Sequence, residues 1–256
     1  MVFFHTLADL QMYMIKKFLF VVVTILLTRV VMAQSVFEGF YGQIATGYEG
    51  NQASNLNSTL QHIDPSYQGF TIAGSNQNFG GVPIVAGLGY NFSVSSNWLL
   101  GIGVDYSALD QKSSTYSQQW RSALFSGNQL TLSNRFNIFL APGYAIDKDK
   151  LVYVKAGYSS VSLKEAFPNL YTSGGSGSLP YASQTQTLSG YIIGLGYKQM
   201  IKDGFYGFAE ANYMGYSQKT FSSYYDGFNF GPNPSYLSNS PSLSSYQALI
   251  GVGYKF

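Results

Sequence analysis

The stretch YQALIGVGYKF, residues 246–256, decides the fold. Read every second residue, it separates into two rows. Tyr246, Ala248, Ile250, Val252, Tyr254 and Phe256 make one, and Gln247, Leu249, Gly251, Gly253 and Lys255 the other. A period of two is the signature of a strand with two different faces. The split recurs between Trp98, Leu100, Ile102, Val104, Tyr106 and Leu99, Gly101, Gly103, Asp105, Ser107. It recurs again between Tyr191, Ile193, Leu195, Tyr197 and Gly190, Ile192, Gly194, Gly196, Lys198. Related Gly-x-Gly phrases begin at Gly87 (GLGYNF), Gly101 (GIGVDY) and Gly194 (GLGYKQ). None has the third glycine of a dinucleotide fingerprint, so these glycines are not a nucleotide cradle.

Working outward, such segments fall near 39–49, 82–92, 97–108, 129–144, 150–159, 187–199, 204–216 and 245–256, which makes eight. Their connections alternate between long (50–81, 109–128, 160–186, 217–244) and short (93–96, 147–149, 200–203). Long loops at one end, tight turns at the other and strands of about 10 residues are the pattern of a transmembrane barrel. A tilted strand of that length rises roughly 23 Å, close to the apolar band of about 25 Å that such barrels show to lipid. The expectation is an all-β, eight-stranded antiparallel up-and-down transmembrane barrel with short periplasmic turns and long extracellular loops. Its Val/Ile/Leu/Tyr rows meet lipid. Its glycines face a lumen only just wide enough for side chains, where Phe139, Tyr153 and Tyr206 use the room that Gly87, Gly89, Gly101, Gly103, Gly194, Gly196, Gly251 and Gly253 leave. Tyr90, Phe92, Trp98, Tyr106, Tyr144, Tyr158, Tyr254 and Phe256 form two interfacial girdles.

Composition agrees. Of 256 residues 46% are hydrophobic and 17% aromatic, but only 10% are charged, against about 25% in a soluble domain. Past residue 33 no apolar run approaches the roughly 18 residues of a membrane helix. Before it, Lys16 and Lys17 precede the apolar residues 18–27 and the small-residue ending Val31-Met32-Ala33. That order reads as a secretory signal cleaved after Ala33, with translation starting at Met14, and leaves 34–256 as the barrel domain. Removing residues 1–33 takes away Lys16, Lys17, Arg29 and Asp9, so 11 basic and 11 acidic residues remain. Without a basic excess, nucleic acid is not expected as a partner. With no cysteine in an exported chain, stability falls to burial, sheet hydrogen bonding or a membrane.

The whole stretch from FYGQIATGY at Phe40 to the last strand resembles the small outer-membrane β-barrels of Gram-negative bacteria, the OmpA-like, OmpX-like and opacity-type surface antigens. The resemblance implies residence in the outer membrane among lipid and lipopolysaccharide. It also implies insertion by the barrel-assembly machinery, which reads a terminal strand with a final aromatic; Tyr254 and Phe256 stand at the matching places.

Chemistry is sparse. Beyond residue 33 the only histidine is His62, with Asp64 beside it in the first long loop. An acidic protease partner set is missing, and the residues match no lipid A deacylase motif. One histidine and no cysteine cannot make a transition-metal site. The expectation is therefore no catalysis, no metal and no cofactor. Inward charges carry more information, because a basic group facing lipid costs about 2–4 kcal/mol at mid-membrane. Asp105 and Arg135 fall on neighbouring strands toward the long-loop end, Lys155 and Glu210 near mid-height, and Lys198 and Lys255 near the short turns. Opposite charges should pair and plug the lumen, the alternative being a small porin or gated channel. The last long loop reads SSYYDGFNFGPNPSYL from Ser222. Its Tyr224, Tyr225, Phe228 and Phe230 are candidates for a contact surface toward a host or environmental ligand, since tyrosine gives contact area at low entropy cost. An exported soluble carrier of the lipocalin type would instead turn the greasy rows inward and expose glycine, a poor surface for solubility.

Overall fold

The computed structural model describes residues 35–256 apart from 67, 121–122, 168, 173–174, 179–182 and 226–234. The expected signal segment and the Met14 start lie outside the described residues.

Eight long strands make the wall: β1 (Gly39–Ser54), β2 (Ile84–Ser93), β3 (Trp98–Ser107), β4 (Ala123–Asp147), β5 (Lys150–Ala166), β6 (Ser183–Lys202), β7 (Phe205–Tyr216) and β8 (Ser242–Lys255). Each pairs antiparallel with the next in sequence, and β8 returns onto β1 from Tyr41↔Lys255 to Ser54↔Ser242. The ring therefore closes, with every wall strand held between two neighbours. The turn at Asp203-Gly204, with φ of 50° and 85°, shows why one short connection is so tight. Two central residues with positive φ make the hairpin turn whose twist matches its strands, and Asp-Gly is a preferred sequence for it.

The outer surface is banded. On β8 the outward row Tyr246, Ala248, Ile250, Val252, Tyr254 is exposed while Gln247, Leu249 and Gly253 are buried. Ile250 is 66% exposed and Leu195 65%, which only contact with acyl chains makes favourable. At the short-turn end Phe40 packs on Tyr90, Trp98 on Tyr144 and Phe205 on Tyr254, with ring centroids 4.7, 5.2 and 4.8 Å apart. At the long-loop end the tyrosines pair as Tyr48–Tyr246 at 6.3 Å and Tyr191–Tyr213 at 6.2 Å. From Tyr246 to Tyr254 a tilted strand rises about 20 Å, so the two aromatic belts bracket an apolar band of membrane height.

Beyond the upper belt the wall continues with its polarity reversed. Along β5 the outward residues change from Val152, Val154, Ala156 and Tyr158 to Ser160, Ser162 and Lys164. The inward ones change from Tyr153, Lys155 and Ser159 to Val161 and Leu163. The same exchange places Leu132, Leu188, Met214 and Leu243 inside at this level, buried together with Phe79 and Phe221. Within lipid the outside must be apolar, and above it the outside meets water and the greasy side chains retreat inward. The switch is marked by irregularities. Pairing of β4 with β5 shifts between Ser160 and Ser162, and Asn134 takes a positive φ of 51° while its side-chain oxygen accepts a bond from Tyr106 Oη at 3.1 Å.

Two sequence expectations need adjusting here. The strands run longer than the lipid band requires; β4 begins at Ala123 and β6 at Ser183, where polar outward rows hid the alternation. The long connections also carry strands of their own. Phe221–Tyr225, Ser235–Asn239, Ser58–His62 and Phe70–Ile72 pair in that order into a separate four-stranded sheet from the first and last connections. Its Leu60, Ile72 and Leu237 bury in one apolar cluster with Phe125 of β4 and Phe167 just beyond β5.

Candidate functional site

The lumen and the rim are the places where polar chemistry collects. From the short-turn end upward, Phe37 is tucked in with Leu99, Ala145 and Leu151, and its carbonyl accepts a bond from Asn91 Nδ2 at 2.9 Å. Next comes Lys198, whose ammonium pairs with no carboxylate among the described residues but sits 3.9, 4.9 and 5.4 Å from the ring centres of Tyr41, Tyr206 and Tyr153. Three tyrosine faces substitute for a counter-ion, since a desolvated cation over an aromatic ring gains about 2 kcal/mol.

Above the cage, Lys155 Nζ pairs with Asp105 and, at 3.1 Å, with Glu210, and lies 4.0 Å from the ring centre of Phe139. Glu210 also accepts bonds from Tyr153 Oη at 2.5 Å and Asn212 Nδ2 at 3.1 Å. The glycines make this crowding possible. A Cβ on Gly196 would fall on the Tyr153 ring, one on Gly253 on the Tyr206 ring, and one on Gly103 would lie 2.7 Å from Phe139 Cζ.

A second network sits higher. Arg135 pairs with Glu49, donates from Nε to Tyr216 Oη at 3.0 Å, and from Nη2 to Ser245 Oγ at 3.0 Å and Asn51 Oδ1 at 3.2 Å. Glu49 also accepts bonds from Gln247 Nε2 at 2.7 Å and from Asn51 Nδ2 at 3.1 Å. In these networks Arg135, Lys155 and Lys198 thus share the lumen with Glu49, Asp105 and Glu210, all buried. Voids beside Lys198 and beside Arg135 measure about 10 Å³ each, roughly the room of one water.

The sequence brought Asp105, Arg135, Lys155, Lys198 and Glu210 to the inside, and all five lie there, but the partners differ from what neighbouring strands suggest. Asp105 turns to Lys155 and leaves its neighbour Arg135 to Glu49, which the sequence reading passed over. Glu49 shares the phase of Tyr41 and Ala45 on β1 and could have been found by extending that count.

At the rim, Glu165 projects inward from β5, 1% exposed and past the last outward tyrosine of its strand, hence above the lipid band. Asn239 Nδ2 donates to its Oε2 at 2.7 Å, which ties wall to rim sheet. Its Oε1 and both side-chain atoms of the buried Asn128 find no hydrogen-bond partner. Burial pushes the Glu165 carboxyl up to about 7, against the opposing effect of the Asn239 bond. His62 Nδ1 lies 2.8 Å from Ser235 Oγ, but Ser235 is fully buried. Asp64 bonds Ser66 through both its hydroxyl and its amide, at 2.7 and 2.9 Å, and these bonds hold its carboxyl below the usual range. Tyr224 is exposed and packs edge-on against Tyr236 at 5.4 Å. The side chain of Tyr225, and Phe228 and Phe230, lie outside the described residues. Tyr254 and Phe256 both face outward, the latter 73% exposed. No group of three or more His, Cys, Asp or Glu able to hold a metal occurs among the described residues.

No family model matches the sequence, and no curated protein does. Solved structures do match. The outer-membrane protease OmpT of Escherichia coli aligns at 10% identity and a TM-score of 0.48, over 88% of this chain and 99% of its own. The outer membrane protein OprG of Pseudomonas aeruginosa gives 15% and 0.47, over 86% and 96%. Ail, the attachment invasion locus protein of Yersinia pestis, gives 13% and 0.37, over 86% and 99%. The closed ring of strands stands on its own hydrogen bonding and not on these likenesses. In architecture the chain is similar to small outer-membrane β-barrels.

Proposed function

We propose that the protein is a non-enzymatic outer-membrane barrel of a Gram-negative envelope that contributes to envelope structure and offers its rim as a surface for interaction. The observation that carries this reading is the filling of the barrel. Two paired charge networks, a caged lysine and an apolar upper core occupy successive levels of the lumen, which supports an anchoring role over conduction. Rim strands from the first and last connections form a sheet over an apolar cluster shared with the wall, which supports presentation of an ordered surface with Tyr224 and Tyr236 exposed on it. A buried Ser235 beside His62, with Asp64 occupied by Ser66, supports the reading without catalysis. Export through a segment ending at Ala33 and recognition of Tyr254 and Phe256 by the barrel-assembly machinery belong to the same proposal.

Deleting residues 222–236 tests it. The barrel should still fractionate with the outer membrane and migrate anomalously until boiled, while whole-cell binding to host or environmental surfaces is lost. Undiminished binding rejects the surface role, and a large conductance of the intact protein in planar bilayers favours a channel instead.

A further inference from the structure

The outer wall carries a groove of about 360 Å³ on β6, β7, β8 and the end of β1, at the small end of the range for ligand clefts, about 300–1,000 Å³. Its position follows from strand register. Tyr191 pairs with Gly215, Gly215 with Ser244 and Ser244 with Gln52, so these four outward positions form one row across four strands. Gly215 has no side chain and forms the floor; a Cβ there would come within 2.9 Å of the Tyr191 ring. Tyr213 closes the side nearer the membrane, and Ser217 and Ser242 the side away from it. The next outward positions toward mid-membrane on the flanking strands are Ile193 and, beyond Tyr246 and Ala248, Ile250, all on the lipid face.

The lining selects the chemistry of an occupant. No Lys, Arg, Asp or Glu lines the groove, so it has none of the cationic groups that hold a phosphate. It offers serine hydroxyls that both donate and accept, that of Ser242 already accepting from Gln218, one carboxamide, and the outward rings of Tyr191 and Tyr213 with apolar faces and polar tips, whereas the third lining tyrosine, Tyr216, turns its hydroxyl inward to Arg135. Those groups match a sugar ring, which has hydroxyls around its edge and C–H on its faces. The groove is continuous with the lipid-facing band and sits at its upper margin, where headgroups lie.

We infer that this groove seats the uncharged, hydroxyl-rich headgroup of a glycolipid from the surrounding leaflet, with Tyr191 and Tyr213 as walls and Gln52, Ser217, Ser242 and Ser244 as hydrogen-bonding partners. The inference rests on the outer-membrane reading above, since it takes the leaflet at the long-loop end to be rich in sugar headgroups. Its test uses purified protein, so a failure of cell-surface binding or of localisation would register separately.

The full chain is refolded into mixed vesicles containing digalactosyldiacylglycerol, phosphatidylcholine and phosphatidylglycerol with identical acyl chains. It is then extracted gently, and retained lipid is counted by native mass spectrometry. The wild type should keep the galactolipid about fivefold or more over either phospholipid. Ser244→Trp, which fills the groove from a half-buried, outward-facing position, and Tyr191→Ala should bring that ratio near one, while Ile250→Trp, in the band below, should leave it unchanged. Anomalous migration before boiling checks that each variant is folded. Should Ser244→Trp fail that check, the paired Ser217→Ala and Ser242→Ala substitutions remove two hydroxyls without bulk and should lower the ratio at least twofold. No galactolipid preference in the wild type, a preference untouched by these substitutions, or a preference for phosphatidylglycerol would overturn the inference.

Discussion

Arg135 on β4 and Glu49 on β1 form an ion pair across the lumen, with side chains 3% and 1% exposed, between strands that are not neighbours in the ring. A buried pair of this kind contributes little net stability when whole, but removing one partner leaves an uncompensated charge. Arg135→Ala should therefore destabilise the barrel by about 3–5 kcal/mol. Adding Glu49→Gln should recover much of the loss, because the stranded carboxylate is then neutral. Urea unfolding in lipid vesicles measures both, and additive losses would mean the two residues are not coupled.

The fit between Gly196 and the Tyr153 ring makes a steric prediction. Gly196→Val puts carbon where the ring lies, and overpacking of a filled interior costs about 1–3 kcal/mol. Tyr153→Leu opens that space while removing the hydroxyl bonded to Glu210. The double variant should fold to a larger heat-modifiable fraction than Gly196→Val alone. An equal or lower fraction would place the ring elsewhere.

Polarity reversal along the wall predicts a depth-dependent cost for charge. Ile250→Lys, midway between Tyr246 and Tyr254, should cost about 2–4 kcal/mol in a bilayer, and Ser242→Lys, above the upper belt, about 0–1 kcal/mol. Spin labels at Ile250 and Gly251 report the same geometry by accessibility to lipid-soluble quenchers. A lipid-shielded position 250 with an exposed 251 would invert the barrel.

Glu165 makes the rim sensitive to pH. Its carboxyl is raised to about 7 in the folded protein, whereas an unfolded glutamate titrates near 4.3, so the folded rim holds a proton that the opened rim releases. That contribution to stability is present below the unfolded value and is lost as pH rises through about 7. Tyr116 responds to the same group, its hydroxyl raised by burial first and by the charge of Glu165 second. Amides of Ser235–Asn239 should exchange about tenfold faster or more at pH 8 than at pH 5.5, after correction for intrinsic rates. Glu165→Gln should remove the difference; if the variant keeps it, the pH response has another source.

Much of the wall was legible because membrane and lumen impose opposite demands on alternate residues, and Val152, Val154 and Tyr158 against Tyr153 and Lys155 display that contrast directly. The upper wall was harder to read. Between Ser183 and Thr187 the residues on both faces are Ser, Gln or Thr, so no hydrophobic period marks the strand. The rim sheet was illegible for a related reason. Its strands are short, rich in serine and paired between the first and last connections, and composition alone presents them as loops.

Alternation, charge placement and glycine spacing by themselves determined an eight-stranded barrel with a greasy exterior and a crowded interior, because those features depend only on which side of its own strand a residue occupies. The tertiary structure alone decided which charges meet, that tyrosine rings rather than a carboxylate hold Lys198, and that Ser, Tyr and Gln of four strands align into one groove. Such contacts depend on strand register and barrel closure, which bring together residues from strands distant in the chain.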